Sequence, residues 1–345
     1  MASRAFQPGL SLAEAFYHEV LAPAVGDVPH SAALLGHGSD VLGLDSERST
    51  DHNWGPRGQL FVPAEEVVGV REAVERALPD RFRGWPTGFG AARGPDGYRL
   101  EVTTLDGWLR HHLGFVPAAG LDHDAWLATP QQLLLGVTAG AVFRDDTGAL
   151  GAVRRRLAWY PDELWAWLLA CQWQRIAQEE SFVGRTLEVG DELGSRLLAA
   201  RLVRDLMRLC FLLERRYAPY GKWFGSAFAR LDAAAATGPL LDRALAAPDA
   251  AERQSALLAA CRAVAERHND LGVTAAVDPA PRPFHDRPYL VLGAGRFVAA
   301  CLARVSDADL LRRPLIGAVD QFVDSTDVLS DPALVRRIQA RNRAE

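Results

Sequence analysis

At 345 residues, 49% hydrophobic and 23% charged, with a net charge of −5, the chain has the make-up of a folded globular protein and the length for two domains. The acidic balance argues against a general nucleic-acid-binding surface and leaves room only for a local basic groove. The longest strongly apolar run, 164–173, is too short to span a bilayer, and residues 1–20 lack the apolar core of a signal peptide, so a cytoplasmic protein with no membrane partner is expected.

Along the first 150 residues helix and strand signals alternate. Residues 10–25 read as an amphipathic helix with Ser11 as a possible cap, and 32–36 and 59–62 as short strands. Pro63 opens a helix over 64–78, with Glu65 and Glu66 in its first turn. The Gly-, Pro- and Arg-rich stretch 81–97 reads as a loop, 98–104 as a strand and 105–113 as a helix, and 122–136 offers helical turns broken by Pro130. A strand over 140–145 ends in the turn Asp145-Asp146-Thr147-Gly148.

Beyond residue 151 the pattern is almost purely helical. Helices are predicted over 162–182, from Asp191 or Ser195 to 217, and over 220–231, 238–246, 249–271, 296–305 and 332–341, with a proline-rich loop at 278–288. Cys171, Cys210, Cys261 and Cys301 are widely spaced in apolar helical contexts, without metal or disulfide spacing, and read as reduced core residues. The tryptophans at 159, 165, 167 and 173 read as core. The pairs Glu179-Glu180 and Asp191-Glu192 read as helix-start charge and a solvated face rather than a patch for a cationic acceptor, and His285-Asp286-Arg287 as a connector.

The chemistry concentrates in residues 36–62, GHGSDVLGLDSERSTDHNWGPRGQLFV. A Gly38-Ser39 turn suits phosphate oxygens, and Asp51 and Asn53, two apart in a strand, would project together as oxygen ligands for a hard cation. Glu101 is the single carboxylate of the segment 98–104, and the two strands are expected to be neighbours. His37 and His52 flank this site without metal-ligand spacing and read as polar neighbours of the turn; His111-His112 reads as surface. Among 38 basic residues Lys222 is the sole lysine, which suggests a place where a compact ammonium is wanted.

Together, Gly38-Ser39, Asp51-x-Asn53 and Leu100-Glu101-Val102-Thr103 resemble the active site of the nucleotidyltransferase superfamily, in particular the aminoglycoside and lincosamide nucleotidyltransferases. Ala218-Pro219-Tyr220-Gly221-Lys222-Trp223 is similar to the place where those relatives keep a phosphate-contacting lysine in a helical domain. Across its length the chain resembles domain-of-unknown-function family 4037, on residues 38–57, 100–108 and 217–231. One position departs from the pattern: Asn53 stands where the superfamily has a carboxylate, and Asp40, Asp45 and Glu47 are the candidate replacements.

The resemblance implies an α+β protein: a nucleotidyltransferase-like α/β domain with a short mixed sheet at 1–150, followed by an all-helical domain at 151–345. It implies transfer of a nucleoside monophosphate from ATP or another nucleoside triphosphate to a hydroxyl of a small-molecule acceptor, with Mg2+ as cofactor. Asp51, Asn53 and Glu101 would hold the metal; Gly38, Ser39, Arg48 and Lys222 would hold the nucleotide; Asp51 and Glu101 would be catalytic. The alternative from a different class is a catalytically silent nucleotide-binding or regulatory module on the same fold.

Overall fold

The computed structural model describes residues 6–51, 54–87, 100–117 and 121–341, with side chains through residue 337. The described residues fall into two compact units. One comprises those within Met1–Leu121, Gln132–Ala158 and Ser330–Ala340; the other, those within Asp122–Gln131, Trp159–Leu329 and Arg341–Glu345.

The first unit opens with helix α1 (Gly9–Phe16), which runs through a π-helical turn (Tyr17–Leu21) into α2 (Ala22–Val25). Strand β1 (Ser31–Leu34), a 3-10 turn (Glu47–Asp51) and strand β2 (Gly58–Phe61) follow, then α3 (Val67–Ala77) and a hairpin of β3 (Arg81–Phe82) and β4 (Trp85–Pro86). That hairpin forms inside the stretch expected to be a loop; the remainder, 88–97, lies outside the described residues. Strand β5 (Leu100–Thr103) leads through a Thr104 cap, whose hydroxyl accepts from Gly107 N, into α4 (Leu105–Leu113). Helix α5 (His123–Ala128) belongs to the second unit, and the first resumes with α6 (Gln131–Thr138), β6 (Ala141–Asp145) and α7 (Ala149–Arg156).

The sheet has the order β5-β2-β1-β6, with β2 and β5 parallel and the other pairs antiparallel. It is the short mixed sheet of an α+β fold. Alternation along the strands gives the sheet two different faces. Ala32, Leu60, Leu100 and Val102 pack with Leu12, Phe16, Val70 and Val74 in one apolar core. Gln59, Phe61, Glu101 and Thr103 alternate with those residues and so face the other way, where Phe61 meets Trp108 of α4 at 5.6 Å between ring centroids.

The second unit is helical. Its frame is α8 (Asp162–Glu179), α9 (Phe182–Glu188), α10 (Glu192–Leu213), α11 (Gly221–Phe228), α12 (Ala234–Ala246) and α13 (Ala250–Asp270). A two-stranded ribbon of β7 (Arg282–Pro283) and β8 (Leu290–Val291) interrupts the proline-rich loop, and α14 (Gly295–Leu302), α15 (Ala308–Arg312), α16 (Val319–Phe322) and α17 (Thr326–Ser330) follow. The terminal α18 (Pro332–Arg341) belongs to the first unit up to Ala340. Trp167 and Trp173 are fully buried, and Trp173 stacks on Phe297 at 4.4 Å and donates to His268 Nδ1. All four cysteines are buried free thiols.

The acidic pairs are structural. Asp191 caps α10, Glu192 pairs with buried Arg253, Glu180 accepts from Gly293 N and Ala294 N, and Glu179 pairs with Arg201. No helix among the described residues is long and apolar enough to cross a membrane.

Candidate functional site

The Gly38-Ser39 turn leaves the sheet at the end of β1 and is fastened on both sides. Gln59 on β2 accepts from Leu35 N through Oε1 at 2.9 Å, and Gly36 N donates to Gly136 O at 2.8 Å. Beyond the turn, Leu42 N donates to Gly38 O and Leu44 N to Ser39 O. Gly38 has φ 140°, outside the range side-chain-bearing residues favour, and a Cβ there would run into Asp40 Oδ1 and Arg57 Nη2. Glycine is therefore required twice over, by dihedral and by space.

The atoms that crowd it form the clamp beneath the turn. Arg57, immediately before β2, donates from Nε to Asp40 Oδ2 (2.9 Å), from Nη2 to Asp40 Oδ1 (2.6 Å) and from Nη2 to His37 O (2.8 Å). Both side chains of this pair are buried. A buried bidentate ion pair fixes geometry more reliably than it adds stability. Here it ties the Gly38-Ser39 turn to the root of a strand.

The clamp settles where the candidate replacement carboxylates are engaged. Asp40 is held by Arg57, and Asp45 Oδ2 accepts from Gly9 N (2.7 Å) and Trp54 Nε1 (2.8 Å). Glu47 is exposed at the start of the 3-10 turn.

Asp51 does not lie on a strand, contrary to the expectation from sequence. It ends the 3-10 turn, exposed, seven positions before β2 begins at Gly58. Ser and Thr hydroxyls here close on the local backbone: Ser46 N donates to Ser49 Oγ and Thr50 Oγ1 to Glu47 O. Such local bonds draw the chain away from extended pairing. Arg48 is exposed in the same turn, and Asn53 and His52 lie outside the described residues.

Glu101 does lie on a strand. Its Cα partner on β2 is Gln59, the residue that holds the root of the Gly38-Ser39 turn, so the carboxylate stands beside that root on the same sheet face. It is half-buried, and loss of hydration raises its pKa above the ordinary carboxylate value against the opposing charges of His111 and Arg71. Loss of hydration also lowers the His37 pKa, with Arg57 and His111 adding like charge. His111 thus acts electrostatically on both Glu101 and the turn.

His112, expected at the surface, is buried. It stacks on Trp108 at 4.8 Å between centroids, bonds Leu133 O at 2.9 Å and lies 5.2 Å from the His37 ring. Burial takes its pKa down to about 3, so it is a neutral strut under the site rather than a titrating group. The helical period of α4 carries this signal: His112 follows Trp108 by four residues and falls on the same buried stripe.

Lys222 lies in the second unit, exposed in the first turn of α11, with Nζ 5.0 Å from the Trp223 ring centroid.

Residues 126–224 match the family model described as Domain of unknown function (DUF4037). The DUF4037 match spans Lys222 and the residues around it, and begins after Glu101. Among solved structures the chain is similar to a nucleotidyltransferase-like protein from Exiguobacterium sibiricum 255-15, with 13% sequence identity over 80% of this chain and 83% of that one, and a TM-score of 0.33. No curated protein matches the chain.

Proposed function

We propose that the first unit binds a nucleoside triphosphate and supports nucleotidyl transfer to a hydroxyl of a small-molecule acceptor. The observation that carries this reading is the placement of Glu101 beside the root of a turn whose Gly38 tolerates no side chain. A Gly-Ser turn can offer backbone N–H groups to phosphate oxygens, and Ser39 adds a hydroxyl. Arg48, exposed nearby in sequence, is the supplementary cation.

In the reaction, the acceptor oxygen bonds to the α-phosphorus, the bond to the leaving pyrophosphate breaks, and the hydroxyl proton passes to Glu101. A raised pKa suits Glu101 to that task, because a base works best with proton affinity near the working pH. Asp51 and Glu101 offer only oxygen donors, the chemistry Mg2+ prefers, with Asn53 contributing an amide oxygen. Bound Mg2+ would offset charge on the phosphates.

One observation favours a second reading, a silent nucleotide-binding module. Asn53 removes a carboxylate, while Asp40 and Asp45 are already engaged by Arg57, Trp54 and Gly9. Pyrophosphate release from nucleoside triphosphate and Mg2+, across a panel of hydroxylated acceptors, decides between the two. Transfer predicts release that disappears in both Asp51→Asn and Glu101→Gln and needs less Mg2+ in Asn53→Asp. Nucleotide binding without release, even in Asn53→Asp, establishes the silent module.

A further inference from the structure

The second unit contains a cavity of about 510 Å³ that the proposed transfer does not use. Arg215, Arg216, Arg230, Arg267 and Arg304 line it against only Glu214 and Asp232, a formal lining charge of +3 in a protein of net charge −5. Each arginine stands in the last turn of a helix or just beyond it: α10 ends at Leu213, α11 at Phe228, α13 at Asp270 and α14 at Leu302.

Cations at helix C-termini are favourable in themselves and would account for the pattern if the guanidinium groups covered the terminal carbonyls. Backbone N–H groups, with the Trp165 indole at one carbonyl, cover several of them instead. Leu212 O accepts from Arg215 N and Trp165 Nε1, Phe211 O from Arg216 N, Ala227 O from Arg230 N, Arg267 O from Leu271 N and Cys301 O from Arg304 N.

Both carboxylates pair with Arg267. Glu214 spends its oxygens on Ala233 N (2.7 Å) and Asp232 N (3.0 Å), and comes no closer to Arg267 than 3.7 Å. Asp232 is mostly in water and 3.5 Å from Arg267. Arg267 Nε is buried without a hydrogen-bond partner, the condition a bound acceptor would relieve. Arg216 and Arg304 make no ion pair among the described residues. Arg215 sits at φ 52°, a left-handed conformation uncommon outside glycine, with its guanidinium 4.0 Å from the Trp165 ring centroid and paired to Asp162.

We propose that this cavity binds a small polyphosphorylated molecule through Arg216, Arg267 and Arg304. Several planar guanidinium forks facing one space match the many oxygens of a phosphate chain better than a single carboxylate. The cavity volume lies within the ~300–1,000 Å³ of small-ligand sites. Arg215 already occupies the Trp165 face, so recognition falls on the phosphates rather than on a stacked ring.

Calorimetric titration of the full chain with inorganic tripolyphosphate, in EDTA and at fixed ionic strength, tests this. A saturable site is expected, weakened about tenfold or more in Arg267→Gln and in the doubly exposed-site variant Arg216→Gln/Arg304→Gln. Ser39→Ala, which touches the proposed nucleotide site instead, is expected to leave this affinity unchanged. Absence of saturation, unchanged affinity in the Arg216→Gln/Arg304→Gln protein, or loss of binding in Ser39→Ala would each overturn the assignment. Tighter binding of a short single-stranded RNA than of tripolyphosphate would overturn the small-molecule class.

Discussion

Glu101 stands where stability and chemistry pull in opposite directions. Half-burial raises its pKa, so the folded state keeps a proton that the unfolded chain gives up near pH 4.5. Above that pH the folded state binds more protons than the unfolded one, and its stability falls as pH rises through the folded pKa. Glu101→Gln keeps the shape and removes the buried charge. Thermal denaturation should therefore find this variant more stable than wild type at pH 8, with the gap closing toward pH 4; a variant less stable at both pH values would mean that the carboxylate is a structural partner. Gain of stability with loss of pyrophosphate release is the signature of a residue kept for function. Neighbouring His112 works in the other sense, staying neutral in the fold down to about pH 3 and so belonging to the packing.

At the scale of elements, local signals were readable and long-range ones were not. Thr104 and the left-handed Gly114 mark both ends of α4, and its predicted span of 105–113 is the observed one. The expected strands near 32–36, 59–62, 98–104 and 140–145 appear as β1, β2, β5 and β6; β5 and β6 alternate in burial and carry the β-branched Val102, Thr103 and Val142 that fit a pleated, half-buried surface, whereas β1 and β2 have none. The strand assigned to Asp51 failed because hydroxyl side chains between 46 and 51 satisfy their own backbone. The Asp40–Arg57 clamp joins residues 17 apart and has no periodicity to betray it. Arg154 belongs to the same class: from α7 it donates to Val137 O, Thr138 O and Ala139 O at 2.7 to 2.9 Å, gathering the C-terminus of α6. An ammonium cannot reproduce that fork. Arg154→Lys is expected to cost about 1–2 kcal/mol in denaturant unfolding and Arg154→Ala more, in line with loss of charged hydrogen bonds; equal stability of all three proteins would show that α6 ends without help.

For the molecule as a whole, the group most open to a direct test is one that its composition isolates. Lys222 is the single lysine in 345 residues, so an amine-directed acylating reagent has one side-chain target, apart from the chain's α-amino group. Its ammonium is exposed and 5.0 Å from the Trp223 ring, close enough for indole fluorescence to report a change at the site. The resemblance to the nucleotidyltransferases implies that this ammonium meets nucleotide phosphate. Saturating nucleoside triphosphate with Mg2+ should then slow acylation of Lys222, followed by mass spectrometry, while leaving the α-amino rate unchanged. Lys222→Ala should weaken nucleotide binding, and Lys222→Arg should restore it only in part, since a broad planar cation does not replace a compact one in a confined phosphate site. Acylation at the same rate with and without nucleotide, together with unaltered affinity in both variants, would leave Lys222 a solvated residue and confine nucleotide recognition to the turn at Gly38 and Ser39.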